Sequence, residues 1–314
     1  MTPNGLKLEP RATTPGDPLM SRTDAPLVSV IMATYNMALH LEKAIASIFA
    51  QDYPAWELII VDDGSTDNPE AVVRSFADAR IIYIRNNKNL GVAACRNKAV
   101  RMARSDCLFF TDGDCVVAED WLAEGLRLFR EGSYAGLEGD LIFVSPDYRP
   151  LYSDRVVENR TGGQYMTANM AYRKDCLVEA GLFDLALRRY SDRAAALQVK
   201  RLGPVVFAPS MRVYHVRARW KLKTFVNYAT AARYTVLLYK SHPGDQREHG
   251  IFGHIYAPEK LASIVFPPLI LRKLLMYRFK TWQDVVLLCL TYPTIIYERI
   301  VLWKYCIKER VFLI

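Results

Sequence analysis

Three apolar runs before residue 111 each end in a polar cluster. Val28 to Ala33 leads into Thr34-Tyr35-Asn36, Trp56 to Val61 into Asp62-Asp63-Gly64-Ser65-Thr66-Asp67, and Cys107-Leu108-Phe109-Phe110 into Thr111-Asp112-Gly113-Asp114. Between the first two, Leu41, Ala44, Ile45, Ile48 and Phe49 recur at helical spacing within Leu39 to Ala50. Pro69 then opens a second helix at a first-turn position that tolerates proline. Runs without polar alternation suit strands buried on both faces, and helices between them imply parallel pairing. Such sheets bind ligands at the carboxyl edge of their strands, so the three polar clusters are expected to converge on one crevice.

The clusters carry distinct chemistry. Asp112 and Asp114 after a buried strand can aim two carboxylates at one hard cation, which in turn can hold a diphosphate. Asp62 and Asp63 either cap a turn with Gly64, Ser65 and Asp67 or accept a hydrogen bond from a base N–H. Thr34, Tyr35 and Asn36 offer a hydroxyl, a ring face and an amide at the border of a nucleotide; Tyr35 otherwise packs. Gly91 to Asn97 opens a helix with small residues that let backbone approach a ligand.

The order and spacing of these segments, with Asn89 to Asn97, Asn169-Met170-Ala171-Tyr172-Arg173 and Ala180-Gly181-Leu182-Phe183-Asp184, resemble a family 2 glycosyltransferase over residues 26 to about 216. The resemblance implies the GT-A fold: an α/β, Rossmann-like, mostly parallel sheet flanked by helices. It also implies a nucleotide-diphospho-sugar donor of UDP, dTDP or GDP type, a divalent cation (Mn2+ or Mg2+) and an inverting transfer to a hydroxyl. Asp62 and Asp63 then look like the base site, with Asp63 preferred. Arg96 resembles the family's nucleotide-contacting arginine, or else pairs with Asp63 or stands as a solvated charge. Asp112 is expected at the ribose or at the metal through water, and Asp114 as the more direct ligand. His215 stands where several GT-A enzymes complete the metal site, after two expected short strands, Val205 to Phe207 and Met211 to Tyr214.

An inverting transfer also needs a carboxylate near the acceptor hydroxyl. The family carries Glu-Asp before an amphipathic helix ending in a Leu-Gly-like turn. Counting back from Leu202-Gly203 places Ser191-Asp192 there, so Asp192 matches the base while Ser191 replaces the glutamate and Ala194 another acidic position. Asp192 otherwise caps the helix from Arg193 to Arg201. Arg219-Trp220 resembles part of the Gln-x-x-Arg-Trp segment of processive synthases, but Val216 stands at the glutamine position.

Residues 1 to 25, polar and rich in proline, are read as a disordered leader and residues 217 to 314 as a basic helical region. From residue 204 onward there are 17 Lys plus Arg against 6 Asp plus Glu, although the whole chain nets only +8. There Leu261–Phe266, Leu269–Leu275, Val285–Leu290 and Ile300–Trp303 are apolar runs interrupted by Pro267-Pro268 and Pro293. None reaches the roughly 20 residues of a spanning helix, so helices lying on an anionic membrane surface are expected. Six cysteines without zinc-like spacing fit reduced thiols, and no base-reading motif accompanies the positive charge. The expected enzyme is peripheral on the cytoplasmic membrane face, with a glycan or lipid-linked acceptor in envelope polysaccharide or glycolipid synthesis. A silent nucleotide-sugar-binding subunit and a nucleotidyltransferase are the alternative readings.

Overall fold

The computed structural model describes residues 27–243 and 257–313. The expected leader, residues 1 to 25, lies outside the described residues. In chain order the elements are β1 (Val28–Thr34), α1 (Ala38–Phe49), β2 (Trp56–Asp62), α2 (Pro69–Ser75), β3 (Ile81–Arg85), α3 (Val92–Met102), β4 (Cys107–Asp112) and β5 (Cys115–Val117). They continue with α4 (Trp121–Glu131), β6 (Gly136–Phe143), β7 (Met170–Arg173), α5 (Lys174–Glu179), α6 (Ser191–Val199) and β8 (Val205–His215). A run of helices follows: α7 (Leu222–Tyr228), α8 (Ala232–Ser241), α9 (Pro258–Val265), α10 (Lys273–Met276) and α11 (Trp282–Glu309).

The strands form one eight-stranded sheet in the order β3-β2-β1-β4-β7-β6-β8-β5. Its first four strands are parallel, with Thr34 opposite Asp62 and Ala33 opposite Asp112, so the polar clusters do finish along one edge. The second half is mixed: β7 runs antiparallel to β4 and β6, whereas β8 is parallel to β6 and antiparallel to β5.

Burial on both faces explains the unbroken apolar runs. Val30, Met32, Leu58 and Phe109 pack with Ile45 of α1 and Trp121 of α4 on one side. Ile31, Ile59, Leu108 and Phe110 pack with Val100 of α3 and Val199 of α6 on the other. Each such side chain contributes about 1.5–3 kcal/mol relative to exposure.

Two expectations change. The segments Val205 to Phe207 and Met211 to Tyr214 form one strand, β8, whose register against β6 jumps between Gly139 and Asp140. Asn169 fills this irregularity, donating to the carbonyls of Asp140 (3.0 Å) and Met211 (2.8 Å) and accepting from Trp121 Nε1 (2.9 Å). Bridging by a side-chain amide lets the strand continue where its ladder is broken.

The second change concerns Pro293, which does not end a helix: α11 runs through it for 28 residues, about 42 Å at 1.5 Å per residue. A proline inside a helix costs about 3 kcal/mol. Here it lies on the exposed face, while Leu287, Thr291, Ile295, Leu302 and Cys306 bury a continuous stripe that offsets the cost. The helix is consequently long and apolar enough to cross a bilayer, against the expectation of short runs only. Its start is a capping box: Asp284 Oδ2 accepts from Thr281 N (2.7 Å) and Oδ1 from Ser153 N (2.7 Å), tying α11 to the sheet domain.

Candidate active site

A cavity of about 590 Å³ opens at the carboxyl edge of β1, β2 and β4. Thr34 at the end of β1 and Tyr35 just after it, Asp63 after β2, Gly91 and Arg96 at the start of α3, and Asp112 and Asp114 around the end of β4 all line it. Asp192 at the start of α6 and His215 at the end of β8 line it too. Asn36 and Asp62 do not.

The two adjacent aspartates after β2 have separate tasks. Asp62 is fully buried and accepts from Ser65 N (2.9 Å) and Tyr83 Oη (2.8 Å), which holds the turn. The turn reading of the sequence therefore describes Asp62. Asp63 accepts from Leu90 N and Gly91 N, both at 2.8 Å, and from Asn86 Nδ2 at 3.1 Å. This ties β2 to the entry of α3, where Gly91 has φ of 97°, a conformation that strains any other residue. Asp63 also lines the cavity, whereas Asp62 does not. Asn36 binds Thr66 N through its amide oxygen (2.8 Å) and stitches the first two loops together.

Arg96 is neither a partner of Asp63 nor a solvated charge. It is 6% exposed and its Nη2 lies 3.0 Å from Asp112 Oδ1.

His215 reaches the site through strand pairing, because β5 pairs with β8 so that Cys115 lies opposite His215, next to Asp114. The Val216 carbonyl, 2.7 Å from His215 Nδ1, can only accept, so Nδ1 carries the proton. Nε2 of the same ring faces Asp114 Oδ2 at 3.5 Å. A ring nitrogen and a carboxylate oxygen, both buried at this separation, can take a divalent cation between them, so the donor set fits one. Burial pushes the Asp114 carboxyl up, opposed by His215 and reinforced by Asp112. Charge crowding of this kind is relieved when a cation is bound. Cys115 sits in the same cluster, but burial, followed by the nearby Asp114 and Asp112, pushes its thiol well up; it stays protonated and leaves the oxygen and nitrogen ligands to a hard ion.

Asp192 is half-buried, in the first turn of α6. The residue at the helix N-cap is Tyr190, with φ of 63°, so Asp192 does not cap it. Desolvation raises its carboxyl, with Arg96 as the main opposing charge. A carboxylate held basic in a cleft is suited to taking a proton.

Sequence reasoning missed Arg155, Arg188, Arg189 and Tyr228, all on the cavity wall. Arg188-Arg189 was legible as a dibasic pair just before Asp192. Nothing local marks Arg155, in a long loop, or Tyr228, brought in by α7 from the C-terminal region.

A sequence profile described as glycosyl transferase family 2 matches residues 29–188. A β-1,3-glucosyltransferase of Escherichia coli, WfgD, which uses UDP-Glc and α-D-GlcNAc-diphosphoundecaprenol, is 31% identical over 143 residues, covering 46% of this chain and 54% of that protein. The chain spans about half the length of the first curated relatives it matches. Among solved structures, a mannosyltransferase of Pyrobaculum calidifontis in complex with GDP-Man and Mn2+ matches with a TM-score of 0.58 at 17% identity, covering 92% of this chain and 88% of that one. Staphylococcus aureus TarS with UDP-GlcNAc matches with 0.53 at 16% identity, covering 90% and 92%. These likenesses show the GT-A fold. With more than half of its residues under the family profile, the chain belongs to glycosyl transferase family 2.

Proposed function

We propose that the protein is an inverting, metal-dependent glycosyltransferase that moves a sugar from a nucleotide diphosphate to a hydroxyl of an envelope glycan or glycolipid. The observation that carries this reading is one cavity lined by Asp192, Asp112, Asp114 and His215, the last two close enough to share one ion. Residues 26 to 216 form the catalytic domain in this reading. The named activity of WfgD supports a lipid-linked acceptor, and the GDP-Man and UDP-GlcNAc of the solved neighbours support a nucleotide-sugar donor.

The mechanism follows from the residues. Asp63 and the Thr34-Tyr35 edge bind the nucleoside, and Arg96 holds the Asp112 carboxylate in place. Asp114 and His215 would hold Mn2+ or Mg2+, with Asp112 beside them. When bound, the ion neutralises charge developing on the departing diphosphate. Asp192 accepts the proton of the acceptor hydroxyl as that oxygen attacks the anomeric carbon.

The test is thermal stabilisation by UDP, dTDP and GDP and their sugars, with and without Mn2+. A ligand at 100 times its Kd adds about 2.7 kcal/mol to native stability, a rise of several degrees. One nucleotide family is expected to raise Tm with Mn2+ and not without it; a folded protein indifferent to all of them would sink the proposal. A silent binding subunit, which Ser191 and Ala194 in place of acidic residues favour, would show the shift without donor turnover. Pyrophosphate release from an NTP would identify a nucleotidyltransferase instead.

The C-terminal helices support a membrane-surface location. Leu271, Leu275 and Met276 in and before α10, and Trp282 and Ile307 of α11, are exposed, beside exposed Arg272, Arg278, Lys280 and Lys304. Apolar residues rimmed by cations fit an anionic interface, each cation adding about 1 kcal/mol. Asp284 and Arg299 are buried within the inner stripe of α11, against the protein, which favours a helix lying on the surface over one crossing it. The protein is expected to sediment with phosphatidylglycerol vesicles, not phosphatidylcholine ones, and to be released by salt or alkali. Release by detergent alone would make α11 a spanning helix.

A further inference from the structure

Five arginines, Arg96, Arg155, Arg188, Arg189 and Arg193, line the cavity together with four aspartates, Asp63, Asp112, Asp114 and Asp192. The buried Arg96 is already paired with Asp112. Arg155 acts electrostatically on Asp114, at the cluster assigned to the donor's phosphates. Arg188 and Arg189 line the same cavity, are solvent-exposed at its wall, and have no ion-pair partner among the described residues. The Arg189 guanidinium instead lies 4.5 Å from the centroid of the Tyr228 ring, a residue of α7 that also lines the cavity. Trp220 buttresses that ring, centroids 5.3 Å apart and edge-on. A guanidinium held over a ring makes no hydrogen bond to it, which keeps its N–H groups available, and their planar edge matches an oxyanion.

Position decides which substrate meets this pair. Arg188 and Arg189 precede Asp192 by four and three residues, a chain distance of no more than about 14 Å. The group bound near Asp192 is the acceptor, because the base must lie within hydrogen-bond reach of the hydroxyl it activates. We infer that Arg188 and Arg189, with Arg189 held on Tyr228, form an anion subsite for the acceptor, which therefore carries a phosphate or carboxylate close to the hydroxyl that is glycosylated. The inference rests on the proposed function for the identity of Asp192 as base. The anion has two possible sources: the diphosphate of a lipid carrier, or the carboxylate of a sugar acid within the glycan. In either case the acceptor is selected by charge as well as by its sugar, since a neutral substrate would leave two cations at the mouth uncompensated.

The experiment is calorimetric titration of the full chain, with Mn2+ and a saturating nucleoside diphosphate filling the donor site. The probes are geranyl diphosphate, methyl glucuronide and, as a neutral control, geraniol. Geranyl diphosphate or methyl glucuronide is expected to bind the wild type about tenfold or more tightly than the Arg188→Gln/Arg189→Gln double variant, by loss of charge-assisted hydrogen bonds. Nucleotide affinity should stay within about twofold, because exposed arginines outside the donor site do not touch it. Whichever anion binds identifies the source. Tm reports the fold of the variant, and the Arg188→Lys/Arg189→Lys variant should retain part of the affinity if charge is what is read. Equal anion binding by wild type and the Gln variant, binding of geraniol as tight as that of the anions, or a tenfold loss of nucleotide affinity would each overturn the subsite; the last would assign the pair to the donor. If no nucleotide binds the wild type, the glycosyltransferase reading fails separately, and the same titration on nucleotide-free protein still reads the pair.

Discussion

Asp192→Asn should lower turnover by about 10²- to 10⁴-fold, the usual contribution of a positioned general base, while nucleotide affinity stays nearly unchanged. The split follows from the proposed roles: Asp192 enters the cavity from α6, a different element from the β1, β2 and β4 ends assigned to the donor. Its pH behaviour adds a second readout. Desolvation raises the carboxyl, and a base works only when ionised, so the acid limb of kcat/KM should lie above the ordinary Asp value of about 3.9. Activity is present above the raised pKa and lost as pH falls through it, and Asp192→Asn should abolish that limb.

Stability moves in the opposite sense. A carboxyl whose folded-state pKa is raised binds its proton more tightly in the native state, so its contribution to stability grows as pH falls and is a penalty once it ionises. The neutral amide removes that penalty, and Asp192→Asn is expected to match or exceed the wild-type Tm near neutral pH. A variant with unchanged turnover, or one that loses activity only because it unfolds, would contradict the assignment of Asp192.

Asp114→Asn should remove the Mn2+-dependent part of nucleotide binding and lower activity by at least about 100-fold, since even residues that only orient metal ligands are worth 10- to 100-fold. Asp114 and His215 Nε2 face one another at 3.5 Å, and an amide in place of the carboxylate can donate to the imidazole and close that gap without an ion. The metal-free Tm should therefore hold, while the increment that Mn2+ adds in the presence of nucleotide disappears. Retention of that increment would place the ion elsewhere in the cavity. His215→Gln should act in the same direction and less strongly, because it leaves both carboxylates in place.

Much of the site was legible because its signals are local. A strand that ends in Thr-Tyr-Asn, Asp-Asp-Gly-Ser or Asp-Gly-Asp announces both its burial and its polar terminus within ten residues. Parallel pairing then brings such ends together whatever the details of register. Of the residues proposed to hold the ion, Asp112 and Asp114 stand in one tetrapeptide, whereas His215, about a hundred residues away, was expected there only through the resemblance, and the pairing of β5 with β8 brings it beside Asp114. The division of labour between Asp62 and Asp63 was not legible in the residues themselves; the preference for Asp63 came from the resemblance. Adjacent strand-end residues point to opposite sides, and the direction of each depends on which amides lie within reach.

Local composition and spacing alone determined the strand-and-helix alternation and the polar edge, because apolar periodicity and turn chemistry act over a few residues, while the roles expected of the carboxylates came from the family resemblance. Tertiary structure decided what depends on distant partners. It carried α11 through Pro293, since the buried stripe outweighs one missing hydrogen bond. It joined Val205 to His215 into one strand around Asn169. It also brought Tyr228 of α7 onto Arg189. Long-range packing is a collective property of many buried contacts, and no window of sequence contains it.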